Sequence, residues 1–386
     1  KAYKCCATAQ ELEELRKQQR AKKIAEGYDN RSRTLTKEDI AKFEAESRPY
    51  VIRLNLGADR NIEWHDVIRG QMSINTKDLG GDPVIQKYNG QILYNFAVVV
   101  DDHDMSISHV FRGEDHLTNT AKQIAIYEAF GFPVPIFGHL PLIFTKDRQK
   151  LSKRKHGDIA GVDKYIREGY LPEALVNYLV ATSYTAPAGG VKELYLIKDA
   201  IKSFNIEGMS KSPAIYDIQK LNWYNREYMA KLSFDELLSK LKPFLNYDLS
   251  KYSIDDQKLM IDSIRGNLNK FADIQDNISY FFVDNIVIDT KLSQSLLESK
   301  NLLEALYKLL ESTDLDWKDP LALKDTINRL GEELGLHGKH LFLPIRVAIS
   351  GIAHGPDLGL VMYLLGKERM LKRVKAAIGS SSRGAP

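Results

Sequence analysis

Cysteine is nearly absent from this sequence, which has only the adjacent Cys5 and Cys6 among its 386 residues. Neighbouring cysteines cannot cross-link distant loops, and their scarcity favours a reducing, cytoplasmic compartment. Long apolar runs are also missing, since no stretch approaches the roughly 20 residues that a membrane-spanning helix needs. Neither sign of charge is in large excess, because the formal net charge is +3. Any binding to a polyanion must therefore use local basic clusters.

What is present is enough apolar material for a sizeable core, with 44% hydrophobic residues. From residue 49 to 100, short β-rich runs between Gly, Asp and Pro predict antiparallel strands and hairpins. The run ILYNFAVVV (92–100) is apolar on both faces and predicts a buried strand of a parallel sheet. SHVFRG (108–113), TNTAKQIAIYEAFG (118–131) and PIFGHLPLIF (135–144) then predict strand, helix and strand. This order is typical of an α/β unit.

Helices are predicted at both ends of the chain. Thr8 and Glu11 have the spacing of a capping box, and Gly27 offers an end to the helix that follows. Beyond about residue 160 the strand patterns disappear, and apolar residues recur with helical spacing up to residue 378. The sequence therefore predicts an α/β part first and an all-helical part second.

A dense acidic and histidine cluster lies between the predicted strands. It comprises Asp101, Asp102, His103, Asp104, His109, Glu114, Asp115 and His116. These residue types can bind a metal ion, but four of them are consecutive, as in a polar turn that ends a buried strand. A third interpretation is a nucleotide or amino-acid pocket at the carboxyl ends of parallel strands, formed by Arg112, Glu114, Asp115 and His116. We favour this third interpretation.

The segment KDRQKLSKRKHG (146–157) is the most basic stretch near that pocket, with six Lys or Arg among its first ten residues. Such runs are often only solvated surface. A lysine on a loop beside a sheet can also neutralise the phosphates of a nucleotide as charge develops there. The α/β unit between FRGEDH and KLSKR favours the phosphate-binding interpretation.

These motifs together resemble one enzyme family. KLSKR (150–154) resembles the K-M-S-K-S signature of class I aminoacyl-tRNA synthetases, and FRGEDHLTNT (111–120) resembles R-G-E-D-H-x-x-N-T of the glutamyl enzymes. YNFAVVVDD, GYLPEALVNYL, KLNWYN and RVAISG…GPDLGLVMYLLGKERMLKRV match bacterial-type glutamyl-tRNA synthetases in the same order. The resemblance covers nearly all of residues 1–378.

The resemblance implies a two-step reaction. Glutamate reacts with ATP, accompanied by Mg²⁺, to give glutamyl-adenylate, and the acyl group then passes to the terminal adenosine of tRNA(Glu). It also implies functional roles for seven residues. Lys150, Ser152 and Lys153 would take part in catalysis, Asp115, Ile143 and Lys153 would bind ATP, and Tyr94 and Arg112 would bind glutamate.

Two features depart from the family pattern. No H-I-G-H-like signature occurs, so we expect the sequence to be a fragment of a longer enzyme that lacks the first half of the nucleotide-binding fold. Many relatives also have zinc-binding cysteines near the N-terminus. Here Ala7 and Ser32 stand at two of the ligand positions and Cys5 alone is in register, so no structural zinc is expected.

The predicted fold is α/β plus all-α: the second half of a Rossmann-type catalytic domain with an α+β acceptor-binding insertion, followed by a helical anticodon-binding domain. The expected boundaries are 1–91 for the acceptor-end-binding insertion, 92–160 for the catalytic half-domain, 161–215 for a stem-contact region, 216–378 for the anticodon-binding domain and 379–386 for a disordered tail or expression scar. We expect a cytoplasmic, monomeric glutamate–tRNA ligase without membrane contact. The alternatives are a non-catalytic tRNA-binding module and a metal-dependent nucleotide hydrolase.

Basic residues on three segments are the candidates for phosphate contacts with tRNA. They are Lys17, Arg20, Lys22 and Lys23, the 146–155 loop, and the C-terminal Lys367, Arg369, Lys372, Arg373 and Lys375.

Overall fold

The chain folds into two compact units in a computed structural model. The structure describes residues 1–184, 194, 197–312 and 315–382. The first unit comprises 1–152 and 179–216, and the second comprises 153–178 and the chain from 217 onward. Among the described residues, no helix has both the length and the apolar character needed to cross a membrane.

The first unit contains both larger sheets. Its elements are β1 (Ala2–Cys5), α1 (Ala9–Ala21), α2 (Lys37–Ala45), β2 (Val51–Leu54), β3 (Asn61–Asp66), β4 (Gly70–Asn75), β5 (Val84–Gln86), α3 (Tyr94–Asp104), β6 (His109–Gly113), α4 (Leu117–Phe130), β7 (Ile136–Leu140) and β8 (Ile143–Phe144). The order β1-β2-β5 forms an antiparallel sheet, and β4-β3-β7-β6 forms a mixed sheet in which β7 runs parallel to β3 and β6. The parallel pair β6–β7 spans the region where the sequence predicts the α/β unit.

One apolar core joins the two sheets to α3 and α4, with Trp64, Val99, Tyr127 and Phe137 among its members. Strand β3 alternates exposed and buried positions along its length, as expected of a strand with one face on a core. The third buried position of this strand is Asp66, which is fully buried although it is acidic. A buried carboxylate needs specific hydrogen bonds.

The predicted strand ILYNFAVVV is wrong, because residues 94–104 form the helix α3. Val99 is fully buried, and Phe96 and Val98 pack against the same core. A short run that is apolar on every face fits a buried helix as well as a buried strand, so periodicity does not separate them. Asp101 to Asp104 consequently form the last turn of a helix.

Three other boundaries differ from the sequence prediction. The capping box of Thr8 and Glu11 is present, but α1 ends at Ala21. Gly27 instead exchanges two hydrogen bonds with the side chain of Gln19, at 2.9 and 3.0 Å. PIFGHLPLIF divides into β7 and β8, and a two-residue strand occurs beyond residue 160, where none is predicted.

The remaining elements follow in chain order. They are α5 (Lys153–His156), α6 (Val162–Glu168), α7 (Pro172–Ser183), α8 (Ile197–Ser203), β9 (Ala214–Ile215), α9 (Ile218–Ala230), α10 (Phe234–Leu241), α11 (Ile254–Ile264), α12 (Ile274–Phe282), α13 (Thr290–Glu298), α14 (Lys300–Ser312), α15 (Pro320–Leu334), α16 (Lys339–Ser350) and α17 (Leu358–Ser382). Strand β9 pairs in parallel with β8 inside the first unit. The described part of the second unit is helical, as predicted, and α17 is interrupted at Gly366. Residues 185–193, part of the expected stem-contact region, and residues 383–386 of the expected tail lie outside the described residues.

Candidate active site

The segment RGEDH lies between the end of a strand and the start of a helix, as the sequence predicts. Strand β6 ends at Gly113, residues 114–116 form one 3₁₀ turn, and α4 begins at Leu117. A side chain at Gly113 would meet Asp115, because an ideal Cβ there lies 2.5 Å from Asp115 Oδ1. Glycine therefore allows the chain to turn tightly and brings Arg112 and Asp115 to one end of the sheet.

Arg112 is the best-connected cation of this region. Its Nη2 donates to Thr120 Oγ1 at 2.6 Å and to Gln123 Oε1 at 2.8 Å, and its Nε donates to His139 Nε2 at 3.4 Å. Burial lowers the pKa of the guanidinium from its usual value, although not enough to neutralise it. Among the described residues, the hydrogen-bond acceptors of Arg112 are all uncharged. No carboxylate of the described residues forms a salt bridge with Arg112, although the negative charge of Asp102 acts on the guanidinium and favours its charged form.

Behind Arg112 lies a buried acid–histidine pair. His139 Nδ1 is 2.5 Å from Asp66 Oδ2, and both side chains are inaccessible to solvent. Burial lowers the pKa of His139, and the adjacent Arg112 charge acts in the same direction. Burial disfavours ionisation of Asp66, but hydrogen bonds from His139 and from three backbone amides outweigh it and lower its pKa. The pair therefore consists of an ionised Asp66 and a neutral His139 at neutral pH.

Tyr94 is the first residue of α3, and its side chain is 52% exposed. The ring meets that of His116 edge-on, with 6.1 Å between the centroids. The next residue, Asn95, accepts a hydrogen bond from Gln123 Nε2 at 2.9 Å. Because Gln123 also binds Arg112, α3 and β6 are connected through one amide. Tyr94 and Arg112 consequently border the same polar network.

The structure brings together two further residues that the motifs single out. Lys150 Nζ donates to Asp115 Oδ2 at 2.6 Å, and this hydrogen bond lowers the pKa of Asp115. Both side chains are more than 40% exposed, at 45% and 41%, so the pair is open to solvent and to an incoming ligand. The neighbouring Glu114 pairs with Arg69 and accepts from the Leu142 amide at 3.2 Å. Glu114 thereby connects the RGEDH turn to the segment that leads into β8.

The basic segment after β8 begins as a tight hairpin. The Ile143 carbonyl accepts from the Leu151 amide at 2.8 Å, and Thr145 exchanges backbone bonds with Gln149 and Arg148. Arg148 has a positive φ of 57°, as the tip of a tight turn requires. Ile143 therefore uses its carbonyl within the hairpin. Its side chain is 37% exposed.

The KLSKR motif runs from one compact unit into the other. Lys150 and Ser152 belong to the first unit, whereas Lys153 begins the short helix α5 of the second unit. Lys153 is exposed, as are Arg154 and Lys155. The sequence predicts a loop here, but residues 153–160 form a helical turn followed by a 3₁₀ turn.

The acidic and histidine cluster is dispersed by the fold. Asp102 accepts from Tyr127 Oη at 3.3 Å, and burial raises the pKa of this carboxyl. His103 stacks on Phe132 with 3.6 Å between ring centroids. No group of three or more His, Cys, Asp or Glu suited to a metal ion occurs in the described part of the chain. Glu114, Asp115 and His116 alone stay with Arg112 at the end of β6.

Residues at the expected zinc-ligand positions form a hydrogen-bonded cluster. The buried Cys5 thiol lies 3.3 Å from Tyr28 Oη, which donates to Ser32 Oγ at 2.7 Å. Burial opposes ionisation of Cys5, but bonds from Ser32 and Tyr28 outweigh it and lower the pKa of the thiol. This cluster connects β1 to the 3₁₀ turn at residues 31–34, and the Ser32 amide adds a hydrogen bond to Tyr28 Oη at 3.0 Å.

The prediction that Arg373 contacts tRNA phosphates, with the other C-terminal basic residues, is wrong. Arg373 is only 3% exposed, and it donates to the carbonyls of Ile349, Tyr280 and Val283. Burial lowers the pKa of Arg373 to about 10. Its guanidinium therefore ties the ends of α12 and α16 to α17 and cannot reach a phosphate.

Five polar residues of the site were given no functional role from the sequence. These are Asp66, Asn95, Thr120, Gln123 and His139. Two of them carried a usable signal, because Asp66 occupies a core-facing position of an alternating strand and His139 interrupts the apolar run PIFGHLPLIF. Asn95 and Thr120 lie within the motifs YNFAVVVDD and FRGEDHLTNT, although no role follows from the motifs for either of them. Gln123 shows no signal, since polar residues are ordinary on helices.

Comparison with known proteins places this chain in a family. The model described as tRNA synthetases class I (E and Q), catalytic domain, matches residues 1–223, and an anticodon binding domain model matches residues 236–378. Curated relatives include a glutamate–tRNA ligase of Natranaerobius thermophilus and one of Geobacillus stearothermophilus. Each is 38% identical to this chain, and the alignments cover 98% of the chain and 78% of each relative.

Solved structures agree with the sequence relatives. A glutamate tRNA ligase from Elizabethkingia meningosepticum CCUG26117, in complex with its amino acid, aligns with a TM-score of 0.75 at 32% identity. The glutamate-tRNA synthetase of Elizabethkingia anophelis aligns with a TM-score of 0.76 at 31% identity. Both alignments cover 98% of this chain and 79% of the known structure. The chain therefore belongs to the glutamate and glutamine group of the class I tRNA synthetases.

Proposed function

We propose that this chain is a glutamate–tRNA ligase, with Arg112 and Tyr94 binding glutamate and the KLSKR segment acting on ATP. The curated relatives that it matches are glutamate–tRNA ligases, so the activity is that of its family. The observation that carries the residue assignment is the charge of Arg112, which is half-buried, fixed by three uncharged acceptors and unpaired with any carboxylate in the described residues.

A carboxylate of the substrate is the partner that Arg112 lacks. The guanidinium is planar and can donate two parallel hydrogen bonds to one carboxylate. Tyr94 offers a phenol at the border of the same network, because its side chain is half-exposed and interacts with the Arg112 guanidinium. Glutamate carries two carboxylates, one that reacts and one that can be held, and this matches a site with one fixed cation.

Activation joins the α-carboxylate of glutamate to ATP. A carboxylate oxygen attacks the α-phosphorus, the bond to the bridging oxygen of the β-phosphate breaks, and pyrophosphate leaves with the electron pair. Lys153 would stabilise the negative charge that develops on the phosphates, while Ser152 and Lys150 hold the motif in place. A Mg²⁺ ion bound to the ATP phosphates would supply further neutralisation of this charge.

The pair of Lys150 and Asp115 lies beside this site and is solvent-accessible. An ATP phosphate can replace Asp115 as the partner of Lys150, because both are anionic and the pair is not buried. Asp115 is then free to accept a hydrogen bond from the nucleotide. Ile143 has its carbonyl engaged with Leu151, so any contact with the adenine uses its remaining backbone or side-chain surface.

Transfer completes the reaction. A ribose hydroxyl of the terminal adenosine attacks the acyl carbon of the adenylate, and AMP leaves. The anticodon binding domain matched by residues 236–378 is the second region through which we propose that tRNA(Glu) binds.

Exchange of pyrophosphate into ATP, measured on the full-length gene product with glutamate and saturating tRNA(Glu), tests the proposal. Lys153→Ala should slow the exchange by roughly a hundredfold, as expected on loss of an electrostatic stabiliser. Lys318→Ala, which removes an exposed lysine of the same unit, is the matched control and should exchange at the parental rate. A full-length gene product that binds tRNA(Glu) but shows no glutamate-dependent exchange would be a tRNA-binding module, and the proposal would be wrong.

A further inference from the structure

Arg112 can bind a substrate carboxylate only if its guanidinium is held in one orientation. It reaches Thr120 and Gln123 through Nη2 and His139 through Nε, so its orientation depends on what these three groups accept or donate. Thr120 and His139 are fully buried, and Gln123 is nearly so. Water cannot reach these buried groups, so an N–H or O–H group that lacks an acceptor there stays without a hydrogen bond. Such an unsatisfied donor costs free energy.

The proton of His139 is directed by Asp66. An ionised carboxylate only accepts hydrogen bonds, so the Nδ1 atom, 2.5 Å from Asp66 Oδ2, carries the proton. The Nε2 atom of a neutral imidazole is then an acceptor. It lies 2.9 Å from Thr120 Oγ1 and 3.4 Å from Arg112 Nε. The Arg112 Nε–H can donate to it, whereas the single proton of the Thr120 hydroxyl has two acceptors within reach, Nε2 and the His116 carbonyl at 3.1 Å.

Asp66 is itself fixed by the backbone. Its Oδ1 accepts from the amides of Ile68, Arg69 and His139, at 3.0, 2.9 and 3.1 Å. These bonds connect the end of β3 to β7 and leave Oδ2 free for the imidazole. The order Asp66, His139, Thr120 resembles that of a hydrolytic triad, but Thr120 Oγ1 is buried with no access to a substrate. The chain of hydrogen bonds ends on Arg112 instead.

We propose that Asp66 and His139 are positioning residues for substrate binding. Asp66 selects the imidazole tautomer whose Nε2 accepts, and Nε2 together with Thr120 orients the Arg112 guanidinium toward the glutamate carboxylate. This inference rests on the proposed role of Arg112 in glutamate binding. It adds that Arg112 binds the glutamate carboxylate well only when His139 is the tautomer with its proton on Nδ1.

The substitution Asp66→Asn tests the tautomer directly. The asparagine carbonyl can keep the three backbone hydrogen bonds of Oδ1, while its NH₂ group faces Nδ1 and forces the proton to Nε2. Nε2–H then points at Arg112 Nε–H, and two donors oppose each other. The dissociation constant for L-glutamate, measured by calorimetry on the whole chain, should rise by roughly tenfold, as expected for one lost hydrogen bond to a charged group.

Nuclear magnetic resonance supplies a readout that mere loss of stability does not give. In the parent the Arg112 Nε–H resonance, assigned by its absence in Arg112→Lys, should be sharp and slow to exchange with solvent. In Asp66→Asn it should broaden or disappear, and the ¹⁵N shifts of His139 should exchange between the two ring nitrogens. Asp82→Asn is the matched control, because Asp82 is an equally buried acid in the same unit that binds Arg33 and the Leu56 amide, away from Arg112.

Thr120→Val provides a second variant if Asp66→Asn does not fold. It keeps the shape of the side chain but removes the hydroxyl between His139 and Arg112, and it should also weaken glutamate binding while Thr120→Ser restores it. An unchanged glutamate affinity in Asp66→Asn and Thr120→Val, with a weakened one in Arg112→Gln, would overturn the inference and leave the proposed function intact. An unchanged affinity in Arg112→Gln would instead refute the proposed role of Arg112.

Discussion

Replacing Arg112 is the sharpest test of how this site recognises its amino acid. In Arg112→Gln the side chain keeps a polar tip but loses the charge and the planar fork. We expect glutamate binding to weaken far more than ATP binding, because Lys150 and Asp115 remain unchanged beside the nucleotide. Arg112→Lys keeps the charge but cannot contact Thr120, Gln123 and His139 at once, so it should fall between parent and Arg112→Gln.

The magnitude follows from the contacts. A hydrogen bond to a charged group contributes about 1.5–3 kcal/mol, and a carboxylate held by the fork makes two. Arg112 is half-buried, so the lower end applies, and two bonds give about 3 kcal/mol, or roughly 150-fold in the dissociation constant. The lysine variant should lose roughly tenfold, since one charged bond remains.

The assay compares KM for glutamate with KM for ATP in pyrophosphate exchange, together with the calorimetric Kd for glutamate. Circular dichroism verifies that each variant is folded. Arg60→Gln is the matched control, because Arg60 is an exposed arginine of the same unit that pairs with Glu128. If Arg112→Gln raises KM for ATP as much as KM for glutamate, the reasoning from the uncharged partners of Arg112 is refuted.

Three further predictions concern stability and tRNA. Gly359→Ala should lower the free energy of unfolding in urea by about 1–3 kcal/mol, because a Cβ there would lie 2.0 Å from the Pro320 carbonyl, whereas Gly379→Ala, with nothing within 4 Å, should not destabilise. The free energy of unfolding should fall as pH drops below about 6.5, because His139 binds a proton at higher pH in the unfolded chain than in the folded protein. It should fall again below about 4, because Asp66 likewise binds a proton at higher pH in the unfolded chain than in the folded protein. His139→Gln should flatten the first phase by up to about 1.36 kcal/mol per pH unit. Removing Lys367 and Lys375, both exposed, should reduce the salt dependence of tRNA(Glu) affinity by about 0.7–0.9 in log–log slope per lost phosphate contact; an unchanged slope would exclude them as contacts.

The sequence contained the motifs of this site but not the connections among them. RGEDH and KLSKR could be recognised from residue type and spacing, and the change to an all-helical second part could be read from periodicity. The helix α3 could not, because three consecutive valines satisfy a strand and a buried helix equally well. Its last turn places Asp102 against Tyr127, and no local pattern predicts that contact.

The network behind Arg112 shows a second limit. Its members come from β3, α3, α4 and β7, so they meet only after the sheet has formed. Asp66 and His139 are separated by 73 residues, and neither belongs to a local motif. A buried acid in an alternating strand marks an unusual site, but its partner cannot be identified without the pairing of β3 with β7.

The burial of Arg373 has a consequence for how this sequence can change over time. Three carbonyls from two helix ends converge on one planar group, and only arginine offers enough donors in a fixed fork to satisfy them. Lysine would preserve the charge and abandon most of the bonds, although substitution tables treat that exchange as mild. The adjacent Lys372 is exposed and makes only a surface ion pair with Asp284, at 3.4 Å, so its replacement leaves no buried carbonyl without a donor. A substitution at position 373 is therefore tolerated only if the ends of α12 and α16 change with it. Arg373 and its neighbour Lys372 are both basic, but they evolve under different structural constraints.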